Sequence, residues 1–337
     1  MKNQYVIYFL IAVSIVATAT LFLRHSEEKK VVVYVSEDQD YAEPLLREFE
    51  KETGIKVEAI YDTEASKSVG LVMRLIAEKS NPQADVYWNN EPIRTILLKR
   101  EGVLQPYCSP NARDIPSEFK DKDCYWTGFA ARARVIIYDP TRMRVEPNSI
   151  LNFTDPKWKG KACISNPFVG SGADWIAAIF AVLGPEQAEK FLTEMKRNDV
   201  IVLESPSMVR DQVLSGECLF GSTDTDDAYD AIKAGKNLKI VYPDNTSIGT
   251  FFFPNTVAMI KGAKHPEEAK KLIDFLLSPK VEERLAEEAM QIPLKKSSKR
   301  PNFVPSFTDI KKFNVSYDQI FEMYNLSQQF AQQLYLR

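Results

Sequence analysis

Residues 31–61 have the sequence VVVYVSEDQDYAEPLLREFEKETGIKVEAIY, in which an apolar run, an amphipathic segment and an alternating segment follow one another. The uninterrupted valine-rich run at 31–35 is typical of a strand buried on both faces of a parallel sheet. The amphipathic segment predicts a helix that ends at Gly54, because a glycine just past the last apolar position commonly terminates a helix. The alternation over 55–61 predicts a second strand, which completes a strand–helix–strand unit.

The same order of elements continues toward residue 100. A polar loop at 62–66 leads into a helical pattern, a third apolar strand covers 84–88, and residues 93–100 are helical again. Strands that alternate with helices form a parallel sheet with helices on both faces. Such sheets bind ligands beyond the carboxyl ends of their strands. The loops after the three strands are polar and acid-rich, so we expect them to meet at one crevice.

A second series of alternating elements fills the middle of the chain. Its predicted strands cover residues 134–138, 162–164, 200–203, 218–221 and 240–242. Residues 251–260 then predict a strand that crosses back, and the remainder is mainly helical. The sequence therefore predicts an α/β protein of two lobes, each a mostly parallel sheet flanked by helices.

The predicted domains follow from where the chain crosses between the lobes, near Ala130 and Phe253. Lobe 1 is predicted to contain residues 31–130 and 254–337, and lobe 2 residues 131–253. Residues 1–30 precede both lobes as a separate segment.

The composition excludes several classes of function. The 337-residue chain has a net charge of −3, with 45% hydrophobic and 26% charged residues, which is ordinary for a folded globular protein. It lacks the clustered basic face that nucleic-acid binding requires. With two histidines and no CxxC pair, the sequence predicts no zinc site. It also has no Ser–His–Asp or Cys–His arrangement and no phosphate-loop glycine motif, so we do not expect an enzyme.

The amino terminus carries a targeting signal. Lys2 is followed by an uncharged run at 3–23 and then by Arg24, a pattern typical of an export signal or a signal anchor. A small-residue site at 17–19 favours cleavage, whereas the length of the run favours retention, and both interpretations remain. We expect a periplasmic or other extracytoplasmic protein, which a retained segment at 5–23 would tether to the cytoplasmic membrane.

The four cysteines permit disulfides in an exported protein. Cys108 and Cys124 lie in one polar, loop-rich segment and are the best pair. A bridge there would contribute about 3 kcal/mol of stability. The alternative is that these residues are free buried thiols.

Several segments, in order, resemble the periplasmic solute-binding proteins of ABC importers, and most of all the ferric-iron-binding proteins among them. The resemblance covers roughly residues 31–294. The segments that carry it are Val33–Ser36, Glu50–Val57, Ala84–Trp88, Arg132–Tyr138, Asn152–Gly160, Ser171–Ala173, Pro254–Ala258 and Ala269–Leu276.

The resemblance implies a periplasmic-binding-protein fold in which two strands form the hinge between the lobes. It also implies a monomer that captures a small ligand or metal ion in the cleft, does not transform it, and delivers it to the permease of an ABC importer. A membrane-tethered sensor would use the same fold.

The ferric site of the family uses a histidine or tyrosine after the first strand, an acid after the third strand, and two adjacent tyrosines in the second lobe. In this chain the first position falls at Asp38, the second at Asn90 or Glu91, and the tyrosine pair at Asp226 and Asp227. Carboxylates are suitable ligands for a hard metal ion. The predicted metal ligands are Asp38, Glu91, Asp226 and Asp227. Helix capping by one of the aspartates, or an organic cation in place of the metal, are the alternatives.

An anion site is predicted at the start of the helix that follows Gly170, because free N–H groups and the helix dipole favour negative charge there. The resemblance assigns this stretch to the anion that accompanies iron, and an ordinary helix cap at Ser171 is the alternative. The further predicted ligand-binding residues are Gln39, Trp88, Asn90, Arg132, Ser171, Gly172, Ala173, Ser207, Asp224 and Tyr229.

Two ligand classes therefore remain from the sequence. The first is a metal ion, with iron and a synergistic anion as the leading candidate. The second is a phosphorylated or amine-bearing small molecule in the same cleft. A hydrolase is the remote alternative from another class of function.

Overall fold

The computed structural model describes residues 29–62 and 69–336. The predicted signal or anchor segment, including the proposed tether at 5–23, lies almost entirely outside the described residues. Within the described part, none of the helices has both the length and the apolar character that a membrane crossing requires.

The secondary structure of the described residues alternates as predicted. The strands are β1 (Lys30–Val35), β2 (Lys56–Tyr61), β3 (Val86–Asn89), β4 (Leu104–Gln105), β5 (Thr127–Tyr138), β6 (Ala162–Ser165), β7 (Ile201–Leu203), β8 (Phe220–Asp224), β9 (Lys239–Val241) and β10 (Phe252–Ile260). The helices are α1 (Gln39–Thr53), α2 (Gly70–Ala77), α3 (Pro92–Arg100), α4 (Gly170–Leu183), α5 (Pro185–Arg197), α6 (Pro206–Ser215), α7 (Thr225–Lys233), α8 (Pro266–Leu276), α9 (Pro279–Ala289) and α10 (Tyr317–Tyr335).

The strands form two parallel groups joined by two antiparallel strands. The order is β2-β1-β3-β10-β5-β8-β6-β7, with β4 beside β10 and β9 beside β5. Strand β1 runs parallel to β2 and β3, and β6 runs parallel to β7 and β8. The mixed α/β fold of the prediction is confirmed, and its core consists of buried aliphatic and aromatic side chains under both groups.

Strand β5 connects the two groups. Its first half pairs with β10 and its second half pairs with β8 and β9. Within the first half Ala130 has a φ of 39°, which non-glycine residues seldom adopt. Asn255, beside a register shift in β10, donates a hydrogen bond of 2.8 Å to the Ala130 carbonyl and so stabilises this bend. The predicted crossings near Ala130 and Phe253 fall within this strand pair, and the lobe boundaries themselves stay a prediction.

Helix α10 packs against helices α3 and α4, which belong to the predicted lobes 1 and 2 respectively. Phe330 contacts Phe180 of α4 with ring centroids 6.1 Å apart, while Tyr324 accepts a hydrogen bond of 2.7 Å from Arg94 of α3. The C-terminal helix, which the predicted domains assign to lobe 1, therefore also covers helices of the predicted lobe 2.

Cys108 and Cys124 form a disulfide, as predicted. Cys163 and Cys218 are buried free thiols.

Candidate functional site

A cavity of about 750 Å³ lies between the two groups of strands. Nine of the residues predicted from the sequence to bind metal or ligand line it. They are Asp38, Gln39, Asn90, Arg132, Ser171, Ser207, Asp224, Asp226 and Asp227. Their roles toward a ligand stay predictions, but the structure brings them to one place.

The topology explains why distant residues converge there. Asp38 follows β1, Asn90 follows β3, Ser171 follows β6, and Asp224 ends β8. These are the carboxyl ends of parallel strands from both groups, and in open α/β sheets this is where ligands bind.

Asp224, Asp226 and Asp227 form an acidic cluster at the start of α7. One carboxylate oxygen from each lies within 4.8 Å of the others. Asp224 occupies the N-cap position, yet its carboxylate caps no backbone group. It accepts hydrogen bonds from Arg134, at 2.9 Å, and from the Ser171 hydroxyl instead. Side-chain capping of α7 by this residue, one of the alternatives for the cluster, is therefore not what the structure contains.

Asp226 forms a buried ion pair with Arg132. Arg132 Nη1 lies 3.0 Å from Asp226 Oδ2, and both side chains are less than a tenth exposed. Arg132 Nη2 also donates to the carbonyl of Asn90, so this guanidinium joins the ends of β3 and β8 at the floor of the cavity. The second oxygen of Asp226, Oδ1, is buried and has no hydrogen-bond partner among the described residues.

The cluster has more negative charge than its partners offset. Burial and the neighbouring Asp226 and Asp224 raise the pKa of Asp227 well above its usual range. Burial also raises the pKa of Asp226, although Arg132 opposes this. Burial lowers the pKa of Arg132, but Asp226 and the surrounding acids raise it further, so the guanidinium stays charged. A positively charged group that entered the cavity would relieve this imbalance.

The lining of the cavity carries a net negative charge. Seven acidic side chains and two arginines line the cavity among the described residues. The acids are Asp38, Asp40, Glu204, Asp224, Asp226, Asp227 and Asp230, and the arginines are Arg132 and Arg210. Such a wall attracts cations and disfavours solutes that are only anionic.

Two helix N-termini provide a place for an anionic group beside the acids. Helix α4 begins at Gly170, where no side chain of the described residues caps it, and Gly170 and Ser171 line the cavity. Helix α6 begins after Ser205, whose hydroxyl caps the helix by accepting from the Met208 N–H at 3.2 Å and lies 2.8 Å from the Ser207 hydroxyl. Arg210 follows one turn later. Free N–H groups at helix starts, with a nearby guanidinium, suit a carboxylate or phosphate group.

Glu91 does not line the cavity, which corrects its prediction as a metal ligand. Its carboxylate is buried and caps α3, accepting hydrogen bonds from the N–H groups of Ile93, at 2.5 Å, and Arg94, at 3.1 Å. Asp174 of α4 is buried beside it, and burial together with Glu91 raises the pKa of Asp174 well above its usual range.

Four other predicted ligand-binding residues also lie outside the lining. Trp88 is completely buried and its indole N–H donates to Asn255. Gly172 packs so closely on Asn166 that a Cβ would come within 2.1 Å of that residue's carbonyl oxygen, and Ala173 is buried behind it. Tyr229 turns away and its hydroxyl donates to the carbonyl of Glu287. Packing in the helices and sheet, rather than ligand contact, accounts for each of these positions.

The structure adds residues that the sequence did not select as ligand-binding. Tyr41, Arg210 and Asp230 line the cavity, and the Tyr41 hydroxyl donates to Asp230 at 3.1 Å. Tyr41 lies in the first turn of the helix after Asp38, and Arg210 lies one turn after Ser207. Helical spacing from a predicted site residue is thus the signal that would have found both.

A family model described as bacterial extracellular solute-binding protein matches residues 96–320. The chain is 27% identical over 307 residues to "Iron uptake protein A1" of Synechocystis, covering 87% of this chain and 84% of the relative. It is 26% identical over 264 residues to "Putative 2-aminoethylphosphonate-binding periplasmic protein" of Salmonella typhi, covering 77% and 75%. The crystal structure of iron-bound HitA from Pseudomonas aeruginosa superposes with a TM-score of 0.83 at 21% identity, covering 91% of this chain and 99% of HitA, which shows a shared fold.

Proposed function

This chain belongs to the bacterial extracellular solute-binding proteins, and we propose that its cleft captures a cation with an anion held beside it. It is a solute-binding protein of ABC import and not an enzyme. In the proposed role it binds its solute outside the cytoplasmic membrane and delivers it to the permease of its importer.

The observation that carries the proposal is the charge arrangement of the cavity. The acidic cluster at the start of α7 faces the same space as the uncapped start of α4 and the start of α6. A cation at Asp226 and Asp227 would offset the carboxylates, and an anion near Ser171 and Ser207 would accept hydrogen bonds from backbone N–H groups at the two helix starts.

Iron with a synergistic anion is the first form of this ligand. Carboxylate oxygens suit a hard ion. Asp226 Oδ1, which has no hydrogen-bond partner within residues 29–62 and 69–336, lies in the cluster that would hold it. Asp38 lines the same cavity and is the proposed ligand from the other group of strands. Relatives named for iron uptake and ferric-iron binding support this form.

A zwitterionic molecule, with an amine and a phosphate or phosphonate, is the second form, and specific observations favour it. Asp224 and Asp226 are already paired with Arg134 and Arg132, whose positive charges would repel a metal ion nearby. Tyr41 is the one tyrosine that lines the cavity in the described part of the chain, so no phenolate pair faces it. The cavity of about 750 Å³ is also far larger than a single ion.

Elemental analysis and native mass spectrometry of the purified full chain separate the two forms. The first predicts about one iron per chain, which a strong chelator removes and ferric citrate restores. The second predicts a small organic mass without metal, and calorimetric binding of 2-aminoethylphosphonate to the stripped protein. A protein that binds neither probe and carries neither mass would contradict the proposal.

A further inference from the structure

The first turn of helix α7 lines the ligand cavity, and its next turn contacts the opposite side of the cleft. Asp226 and Asp227 in its first turn line the cavity. Tyr229 and Asp230, within the next turn, contact elements of the other group of strands. One short helix therefore lines the cavity of the proposed ligand and also contacts the facing lobe.

Tyr229 makes the first of these contacts. Its ring stacks on Phe303 with centroids 5.0 Å apart and planes inclined by 17°, and its hydroxyl lies 3.3 Å from the carbonyl of Glu287 in α9. Phe303 is held on that side by the segment around it, in which Arg300 donates to the carbonyl of Val304. Because Phe303 remains 49% exposed, the stack is a surface contact and not part of the core.

Asp230 makes the second contact. It accepts a hydrogen bond of 3.1 Å from the hydroxyl of Tyr41 in α1, and both side chains line the cavity. Helices α1 and α9 are themselves joined, since Arg284 pairs with Glu48 at 3.0 Å. Helix α7 thus lies against a connected surface of the facing lobe.

We propose that Tyr229, Asp230, Tyr41 and Phe303 form a latch that holds the cleft closed. Opening the cleft would break the stack and both hydrogen bonds, while the acids that face the ligand move with the same helix. This inference rests on the proposed function, because helix α7 would carry both the acids that bind the ligand and two of the residues that hold the cleft closed. These four are positioning residues, and Tyr229 acts through the facing lobe and not through the ligand.

Amide hydrogen exchange of the ligand-free full chain tests the latch. Phe303→Ala removes the stack, and Tyr41→Phe removes one hydroxyl. Loss of an aromatic stack shifts the equilibrium between the closed and the open cleft by about threefold to tenfold toward the open form. We expect exchange at the starts of α1, α4 and α7 to rise by about that factor, while β1 and β3 keep their protection. Leu151→Ala, at a position that is 62% exposed and outside the latch, is the matched control and leaves all rates unchanged.

Unchanged exchange in both latch variants would overturn the proposal. A uniform rise across helices and strands would overturn it as well, since it would indicate a general loss of stability. Because no ligand is added, the result does not depend on which solute the cleft captures, and a failed latch is distinguishable from a failed function.

Discussion

Replacing Arg132 with methionine tests the electrostatic account of the cavity floor. Arg132 and Asp226 are 6% and 7% exposed and lie 3.0 Å apart. Arg132→Met retains much of the side-chain volume but leaves Asp226 buried beside Asp224 and Asp227 without its guanidinium. Removing one partner of a buried ion pair costs about 3 to 5 kcal/mol, because the remaining charge stays desolvated. We expect a loss of that size in the free energy of unfolding by urea.

Two further variants make the test specific. Lys157→Met breaks a surface pair with Asp155, whose side chains are 55% and 33% exposed, and we expect a cost below about 1 kcal/mol. The double variant Arg132→Met with Asp226→Leu removes both buried charges, and we expect it to recover most of the lost stability. A cost below about 1 kcal/mol for Arg132→Met alone would refute the reasoning, since the floor of the cavity would then tolerate an unpaired carboxylate.

Three other predictions concern stability away from the ligand. Reducing the Cys108–Cys124 disulfide, which spans 16 residues, lowers the free energy of unfolding by about 3 kcal/mol in urea titrations, and a Cys108→Ser, Cys124→Ser variant shows no response to reductant. Glu91→Ala removes the cap of α3 and costs about 1 to 2 kcal/mol while ligand affinity stays within about threefold; a large loss of affinity would restore Glu91 as a ligand. Because burial and Glu91 raise the pKa of Asp174, the folded state holds a proton that the unfolded chain releases, so unfolding free energy falls as pH rises above the ordinary aspartate range. Asp174→Asn removes that slope, and an identical pH profile in the variant and the parent protein would contradict the shift.

The convergence of the site could be predicted from the sequence because it follows from topology. Strand–helix alternation places Asp38, Asn90, Ser171 and Asp224 at the carboxyl ends of strands, and such ends meet at one edge. No side-chain detail is needed for that inference. The disulfide was predictable for a different local reason: Cys108 and Cys124 lie in one loop-rich segment, and the short loop between them favours their pairing.

The direction in which a side chain points is what the sequence did not specify. Tyr229 is two residues after Asp227 and lies roughly 200° further around the helix, so it contacts Phe303 and the carbonyl of Glu287 and not the cavity. Glu91 immediately precedes a proline-initiated helix, where an acid satisfies backbone N–H groups, and Asn90 lines the cavity in its place. Trp88 is the penultimate residue of β3, all four residues of which are buried, so its side chain packs in the core and does not face the cavity.

The pairing of the aspartates also required the structure. Arg132 was predicted from the sequence to bind ligand, but nothing in the sequence identified which acid would pair with it or with Arg134. In the structure Arg132 pairs with Asp226 and Arg134 pairs with Asp224. Asp227 is therefore the member of the cluster for which no arginine pair is present in the described residues.

The most direct measurement is the affinity of an Asp227→Asn variant for the solute that copurifies with the protein, determined by isothermal titration calorimetry. Asp199→Asn, at an exposed acid outside the cavity, is the matched control. Loss of a charge-assisted contact predicts a tenfold to hundredfold weaker Kd for Asp227→Asn and an unchanged Kd for Asp199→Asn. Equal affinities in both variants and the parent protein would contradict cation capture by the acidic cluster.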